Sequence, residues 1–351
     1  MPLLARMVAS PLTIDVRSRA LEDLHGLLSD QRISPDGHVA VVVGPGKGAE
    51  VLDVLGPALA NGSVHHARAG TIAAARELAD ELRHGWYDAV VGIGGGRTLD
   101  VAKYAASIAG LPAVAVATCL SHDGLASPVA SLEHEGRKLS FGVQMPIAVV
   151  VDLTYVRRCQ RAQLAAGVGD ALSNLNALAD WELSARATGE PVDGLAVALA
   201  RSGAESLLHR TDDLLSEDFL TTLAHALVLG GLAMAVAGSS RPCSGACHAI
   251  AHALDAHVPG SRRHGDEVAI GALFASWLRA DPLLDTLAAS LARHGVPRVP
   301  ADVGVSEDDF AAAVARAPLM RPNRYTILHH LDLQEEEIRE RVHVFAETFD
   351  H

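Results

Sequence analysis

The chain has 351 residues, 49% hydrophobic and 20% charged, with a formal net charge of −13. That length exceeds one usual core and predicts two domains. The negative charge argues against nucleic acid or an anionic membrane surface as the main partner, and no apolar run looks long enough to insert in a bilayer. The first residues, MPLLARMVAS, lack the apolar core of a secretory signal, so a cytoplasmic location is expected. Four cysteines there predict thiols rather than disulfides. A small anionic substrate stays open, because local arginines and a metal can override the global field.

In chain order, residues 38–44 read as a buried strand closed by a turn at Gly44-Pro45-Gly46. Residues 71–83 read as a helix, 87–94 as a second strand, 98–109 as a helix, and 112–118 and 146–152 as two more strands. Near-continuous apolar strands separated by helices predict a parallel sheet covered on both faces. After Thr154 strand-like runs disappear. Alanine and leucine recur at helical spacing over 165–188, 193–208, 219–237, 244–256 and 267–280, and a charged helix closes the chain over 334–349. The expected architecture is an α/β dinucleotide-binding domain over 1–154 and an all-α metal- and substrate-binding domain over 155–351, sharing one cleft.

The segment VVGIGGGRTLDVAK at 90–103 carries the most specific chemistry. Gly94, Gly95 and Gly96 end a buried strand and let the backbone approach a pyrophosphate without Cβ clashes. The helix beginning near Thr98 points its amides and dipole at that anion, with Asp100 in its first turn. The spacing GGGxxxDxxK is far more specific than a lone GxGxxG. The next loop, ATCLSHDGLASP at 117–128, follows a strand and so lies at the carboxyl edge of the sheet, where open α/β sheets bind ligands. It offers the hydroxyls of Thr118, Ser121 and Ser127 and the carboxylate of Asp123.

His248 and His252 are four apart and share one helix face; His264 follows beyond a turn at 258–260. Two histidines from one helix and its following loop can converge on a metal if a third ligand comes from elsewhere. A carboxylate would complete a three-ligand site with an open position, the usual catalytic arrangement for zinc. Asp170, in AGVGD at the start of an apolar helix, is the candidate. With 18 histidines in the chain some such pairs arise by chance, and this pair gains weight from the upstream nucleotide loop. Cys243 and Cys247, beside His248, lack the second cysteine pair of a structural zinc site.

Together GGGRTLDVAK, TCLSHDGLASP, GVGDALSN, GSSRPCSGACHAIAHALD, HGDEV and RPNRYTILHHLDL resemble the sn-glycerol-1-phosphate dehydrogenase family over residues 85–340. Its superfamily also holds glycerol dehydrogenase, iron-containing alcohol dehydrogenases and 3-dehydroquinate synthase. The resemblance implies cofactor contacts at Gly94, Gly95, Gly96, Arg97, Thr98 and Asp100, and at Thr118, Cys119, Leu120, Ser121 and Ser127. It implies substrate contacts at Asp123, Asp170 and His252, and zinc ligands at Asp170, His248 and His264. The implied activity is reduction of dihydroxyacetone phosphate to sn-glycerol 1-phosphate with NAD(H) or NADP(H) and Zn²⁺, in a homo-oligomer. Two positions depart from the family pattern. Cys247 stands where glutamate is usual, and neither an acidic residue nor an arginine cluster follows the strand ending at Gly44. Asn174 stands where iron-dependent relatives place a further histidine, which favours zinc.

In the expected reaction zinc polarises a ketone, a nicotinamide gives hydride, His252 relays the proton and Asp123 fixes a substrate hydroxyl. Arg241 is the expected partner of the substrate phosphate, since guanidinium matches phosphate geometry. A helix-end ion pair is the other reading of that arginine. The alternatives are a sugar-phosphate cyclase of the dehydroquinate synthase type, or a related polyol or alcohol dehydrogenase with another substrate. A non-enzymatic nucleotide-binding module would predict a broken metal site, whereas all three candidate ligands are present.

Overall fold

Six segments rich in valine, isoleucine and alanine form one parallel sheet in the computed structural model, which describes residues 10–34, 37–45, 47–55, 62–258, 260 and 262–350. Residues 1–9 of the expected leaderless start lie outside that set, as do Gly46 and Pro259 from two expected turns. The first part of the chain runs β1 (Thr13–Arg17), α1 (Leu24–Leu28), β2 (Val39–Val43), α2 (Lys47–Leu55), β3 (Ser63–His66), α3 (Ile72–Arg83), β4 (Ala89–Gly94), α4 (Gly96–Ala109) and β5 (Ala113–Ala117). A hairpin of β6 (Val129–His134) and β7 (Arg137–Gly142) follows, then β8 (Ala148–Asp152).

The sheet order is β1-β8-β5-β4-β2-β3. The four central strands are buried along their whole length. Val39, Val41 and Val43 of β2 pack with α1 and α2 on one face, whereas Ala40 and Val42 pack with α3 and α4 on the other. Burial on both faces is why these strands read as unbroken apolar runs. The edge strands β1 and β3 escape that reading because each is half exposed and mixes polar with apolar residues.

Beyond β8 the described residues are helical: α5 (Leu153–Val156), α6 (Arg161–Thr188), α7 (Gly194–Leu208), α8 (Glu217–Ala237), α9 (Ala246–His257), α10 (His264–Leu278), α11 (Leu284–Arg293), α12 (Glu307–Met320), α13 (Ile327–Leu331) and α14 (Glu335–Phe349). The expectation of no membrane-length run needs one correction. Helix α8 is long and apolar enough to cross a bilayer, but most of that stretch is buried, and it packs against α6 and α7 as a core helix. The hairpin and helices α11 to α13 were not anticipated. Glu135 and Gly136 both have positive φ in the β6–β7 turn, the geometry that matches the twist of a two-residue hairpin.

Helix α6 organises the helical part through Asp180, whose side chain is fully buried. Its Oδ2 accepts the Ala246 N–H at 2.7 Å and so caps α9, while its Oδ1 accepts from the Ile327 N–H at 2.8 Å and from Arg279 at 2.5 Å. Asp180→Ala strands two buried amides and leaves the half-buried Arg279 with only the more distant Asp281, at 3.9 Å. It is expected to lower unfolding free energy by about 3–5 kcal/mol, the usual cost of breaking a buried pair. A urea transition with an unchanged midpoint would show that the hub is dispensable.

Candidate active site

The chain order reverses between β2 and β4, with β3 beyond β2 and with β5, β8 and β1 beyond β4. Ligands of open α/β sheets lie outside the carboxyl ends of the strands at such a switch point. Gly44 and Gly94 end these two strands, and both pack on Thr98. A Cβ on Gly94 would lie 2.8 Å from the Thr98 Cβ, and one on Gly44 would collide with the Thr98 hydroxyl. Thr98 therefore leaves no room for an acidic side chain at position 44. Gly95 is the N-cap of α4, with extended backbone, and a Cβ there would meet only the Cys119 Cβ, at 3.8 Å. An open backbone cradle thus faces the positive end of a 14-residue helix.

The second loop is locked to this cradle from below. Thr118 donates its N–H to the Gly94 carbonyl at 3.0 Å. Lys103, wholly buried, pairs with Asp100 at 3.2 Å and donates to the carbonyls of Val129 (2.6 Å), Ser127 (3.3 Å) and Gly124. The lysine of GGGxxxDxxK thus fastens the loop that carries Asp123 and Ser127 to the helix that carries Asp100. Leu120 turns its side chain into the helical core, so only its main chain can face a ligand.

A cavity of ≈ 470 Å³ opens above the cradle, between the sheet and the helices. Arg97, Asp100, Asp123 and Ser127 line it from one side, and His248, His252, His264 and Arg321 from the other. The hairpin supplies a third wall. Ser131 pairs with Ser140 and Glu133 with Lys138 across β6 and β7, and all four line the cavity.

At its helical end Asp170, His248 and His264 bring one ligand atom each to within 4.8 Å of one another. The His248 Nε2 lies 3.7 Å from the Asp170 Oδ1, while its Nδ1 faces the Cys247 sulfur at 3.4 Å. Nε2 is therefore the nitrogen turned to the site. Burial pushes the Cys247 thiol up to about 12, so it stays protonated and is a weak partner for the ring. Burial, then the neighbouring Asp123 charge, raises the Asp170 pKa well above the carboxylate range. Burial also holds His248 and His264 well below their ordinary pKa, as neutral rings with free lone pairs. A buried carboxylate lacking a counter-charge beside two neutral imidazoles fits a divalent cation in a three-ligand site. Asp255 and Glu267 also approach His264, but they are already paired with Lys138 and Arg262.

Residues 15–159 match the iron-containing alcohol dehydrogenase family. Over 251 residues, 70% of this chain and 72% of the relative, the sequence is 44% identical to a glycerol-1-phosphate dehydrogenase (NAD(P)+) of Thermofilum pendens. A protein of the same name from Staphylothermus marinus is 31% identical over 336 residues, 94% of each chain. The chain belongs to the glycerol-1-phosphate dehydrogenase family. A probable glycerol dehydrogenase from Sinorhizobium meliloti shares the fold with a TM-score of 0.79 over 99% of both chains at 21% identity. Sulfoacetaldehyde reductase from Bifidobacterium kashiwanohense in complex with NAD+ gives 0.76 over 98% of this chain and 100% of that one, at 17% identity. The family fold pairs an N-terminal α/β part with a C-terminal helical part, the architecture expected from the sequence.

Within this family member two expectations change. Arg241 does not line the cavity. It is buried, bound to Glu190 at 3.0 and 3.2 Å and to the Tyr325 carbonyl at 2.7 Å, so it ties the 320s segment to α6 and cannot meet a phosphate. His264 is not in a loop but opens α10. The guanidinium at the helical end of the cavity, missed in the sequence, belongs to Arg321, which touches Ser240 at 3.1 Å, Ser140 at 3.4 Å and the His252 Nε2 at 3.3 Å. RPNR was part of the resemblance, but nothing in the sequence said which arginine faces inward.

Two outcomes check this geometry. Gly95→Val adds a branched side chain to open cradle space, so NADH affinity should fall by tenfold or more, roughly 1.4 kcal/mol per decade, with the melting temperature unchanged. Wild-type NADH affinity would show that no phosphate approaches Gly95. Separately, His248→Ala and His264→Ala should each lose bound zinc after dialysis, whereas His252→Ala should keep it, as read by metal analysis. Zinc loss from His252→Ala with retention in His248→Ala would reverse the two roles.

Proposed function

We propose that the chain is a metal-dependent, NAD(P)H-linked reductase that converts dihydroxyacetone phosphate to sn-glycerol 1-phosphate, reversibly. The observation that carries this reading is the convergence of three elements on one cavity. These are a backbone cradle at α4, a carboxylate–imidazole–imidazole group, and a guanidinium that forms no salt bridge among the described residues. Residues 1–154 then hold the cofactor, and residues 155–351 the metal and substrate.

When bound, the dinucleotide supplies hydride and a zinc ion held by Asp170, His248 and His264 supplies Lewis acidity. Gly94, Gly95 and Gly96 receive the pyrophosphate on the α4 amides, with Arg97, Thr98 and Asp100 around them. Thr118, Cys119, Ser121, Ser127 and the main chain of Leu120 flank the remainder. Asp123 is anchored by its own N–H, which donates to the Asp170 Oδ2 at 2.9 Å, and its carboxylate faces the cavity to hold a substrate hydroxyl. His252 accepts from Arg321 on Nε2, so its proton resides on Nδ1. Burial, then the Arg321 charge, lowers its pKa to about 3, which leaves a neutral ring on the cavity wall at pH 7. Arg321, with Ser140, Ser240 and Lys138 nearby, takes the phosphate in place of Arg241.

The dehydrogenase names of the relatives favour this reading over a cyclase. So does the use of Lys103 to fasten a loop, which leaves Lys138 as the lysine on the cavity wall. The four cysteines as thiols suit a cytoplasmic setting. Exposed Ile14 and Val64 on the two edge strands and Trp86, 94% exposed, suit assembly into a homo-oligomer.

Zinc-loaded protein should oxidise NADH or NADPH with dihydroxyacetone phosphate, chelation should stop it, and chiral analysis of the product should give sn-glycerol 1-phosphate. No oxidation under these conditions would overturn the assignment. Arg321→Ala should raise KM for dihydroxyacetone phosphate about 10–100-fold, from the loss of a charged hydrogen bond of ~1.5–3 kcal/mol. On unphosphorylated dihydroxyacetone the loss should be smaller, set by the Arg321–His252 contact alone. Equal losses on both ketones would remove Arg321 from the phosphate site.

A further inference from the structure

The RPNR segment carries an arginine at each end, and the phosphate site proposed above uses only Arg321. Arg324 does not line the cavity, and it forms no ion pair among the described residues. Its Nη1 donates to the Ser244 carbonyl at 2.7 Å and its Nη2 to the Ser240 Oγ at 3.2 Å. Arg321, on the cavity wall, donates to the same oxygen at 3.1 Å. One serine hydroxyl thus joins two guanidinium groups.

The shared acceptor fixes what Ser240 can do. A hydroxyl oxygen has two lone pairs and one proton, and a guanidinium can only donate. Two guanidinium groups therefore occupy both lone pairs, and the O–H proton is the one bonding capacity left. No acceptor for that proton is present among the described residues, and Ser240 lines the cavity. Charge then gives the class of ligand. Arg241, Arg321 and Arg324 lie close together, but among the described residues Glu190 is the one carboxylate paired with any of them, and it goes to Arg241. Lys138 is likewise taken by Asp255. Burial, then the Arg321 and Arg241 charges, lowers the Arg324 pKa to about 9, so the group is still charged at pH 7. Two positive charges meet at one hydroxyl with no side-chain anion between them.

We propose that Ser240 and Arg324 complete, with Arg321, a subsite selective for a dianionic phosphoryl group. Ser240 donates its hydroxyl proton to the anion beside the Arg321 guanidinium. Arg324 is a positioning residue, which holds Ser240 as a donor and adds a second positive charge from behind it. A phosphate monoester carries a charge of about −1.5 to −2 near neutral pH and so matches the pair, whereas a carboxylate carries half of that. The inference rests on the assignment of Arg321 to the substrate phosphate and extends it to the choice between a phosphorylated ketone and an uncharged or carboxylated one.

The test compares wild type, Ser240→Ala, Arg324→Gln and Arg324→Lys. It reads kcat/KM on dihydroxyacetone phosphate and on dihydroxyacetone, and calorimetric binding of inorganic phosphate and of acetate to the zinc- and NADH-loaded protein. Wild type should bind inorganic phosphate more tightly than acetate. Ser240→Ala and Arg324→Gln should each lower the preference for the phosphorylated ketone about tenfold or more, as expected for a lost hydrogen bond to a charged group, and weaken inorganic phosphate alike. Arg324→Lys keeps the charge and should recover part of both. An unchanged preference in Ser240→Ala would overturn the proposal. So would equal losses on both ketones, which mark a merely structural role, or a lysine variant no better than glutamine. If Arg324→Gln fails to fold, the serine variant decides: a tenfold loss of preference supports the subsite, and wild-type preference rejects it. A wild type that turns over neither ketone, but binds inorganic phosphate and loses it in Ser240→Ala, would refute the proposed reaction and leave the subsite standing.

Discussion

The site depends on a place where three backbones touch. Helix α6 crosses the second loop at Gly167, where a Cβ would collide with the Leu120 carbonyl, and crosses the start of α10 at Gly169, where a Cβ would lie 2.7 Å from the Gly265 carbonyl. Gly265 is equally committed, since a Cβ on it would collide with the Ala166 carbonyl. These contacts bring α6 and α10 to backbone distance, which is what sets Asp170 against His264. The Asp123 N–H to Asp170 bond then joins the loop to the same point. A larger residue at 167 or 169 would part the helix from loop or partner and open the ligand group, so the metal end and the cofactor end share one mechanical constraint.

Further along the same helix, Asp180 positions the third member of the candidate ligand group. By capping α9 through the Ala246 N–H it fixes the axial position of that helix, and His248 sits in its first turn. His252, four residues on, follows on the same face, with ring centroids 6.4 Å apart. The arrangement explains how a rigid interior can hold two histidines with different tasks. Asp170 faces the first, and the Arg321 guanidinium faces the second. Their roles diverge through their neighbours, although both belong to one helix face.

Much of this was legible in the sequence, and the legible parts share a cause. Strands buried on both faces announce themselves, so the expected β2, β4, β5 and β8 match within two residues, and the long apolar helices within four. Strands that face solvent, such as β1, β3 and the β6–β7 hairpin, mix polar with apolar positions and gave no such signal. The carboxylate and two imidazoles of the candidate metal site stand out by residue type and motif. What stayed hidden was partner choice. Arg241 and Arg321 both stand in short motifs with proline, but among the described residues Glu190 comes to one and no carboxylate to the other, a matter of tertiary placement that no local pattern encodes. Lys103 was hidden for the same reason, because its acceptors lie in the neighbouring loop at Gly124 and Val129.

The cavity also reconciles a net charge of −13 with an anionic ligand pair. Acidic side chains dominate the protein as a whole, but on the cavity wall Arg68, Arg97, Lys138 and Arg321 outnumber Asp100, Asp123 and Glu133, and Asp100 is paired with Lys103. Lys138 is neutralised by Asp255 at 2.9 Å, so the field there falls chiefly on the arginines. Low-dielectric walls concentrate that field, which makes a few cations at close range outweigh many anions spread over a surface. Arg97 stands in the first turn of α4, and Arg321 beside His252 at the other end. Two phosphate-bearing ligands can therefore lie in one cleft with separate counter-charges, and the space between them is where Asp123, His252 and the metal-ligand group face one another.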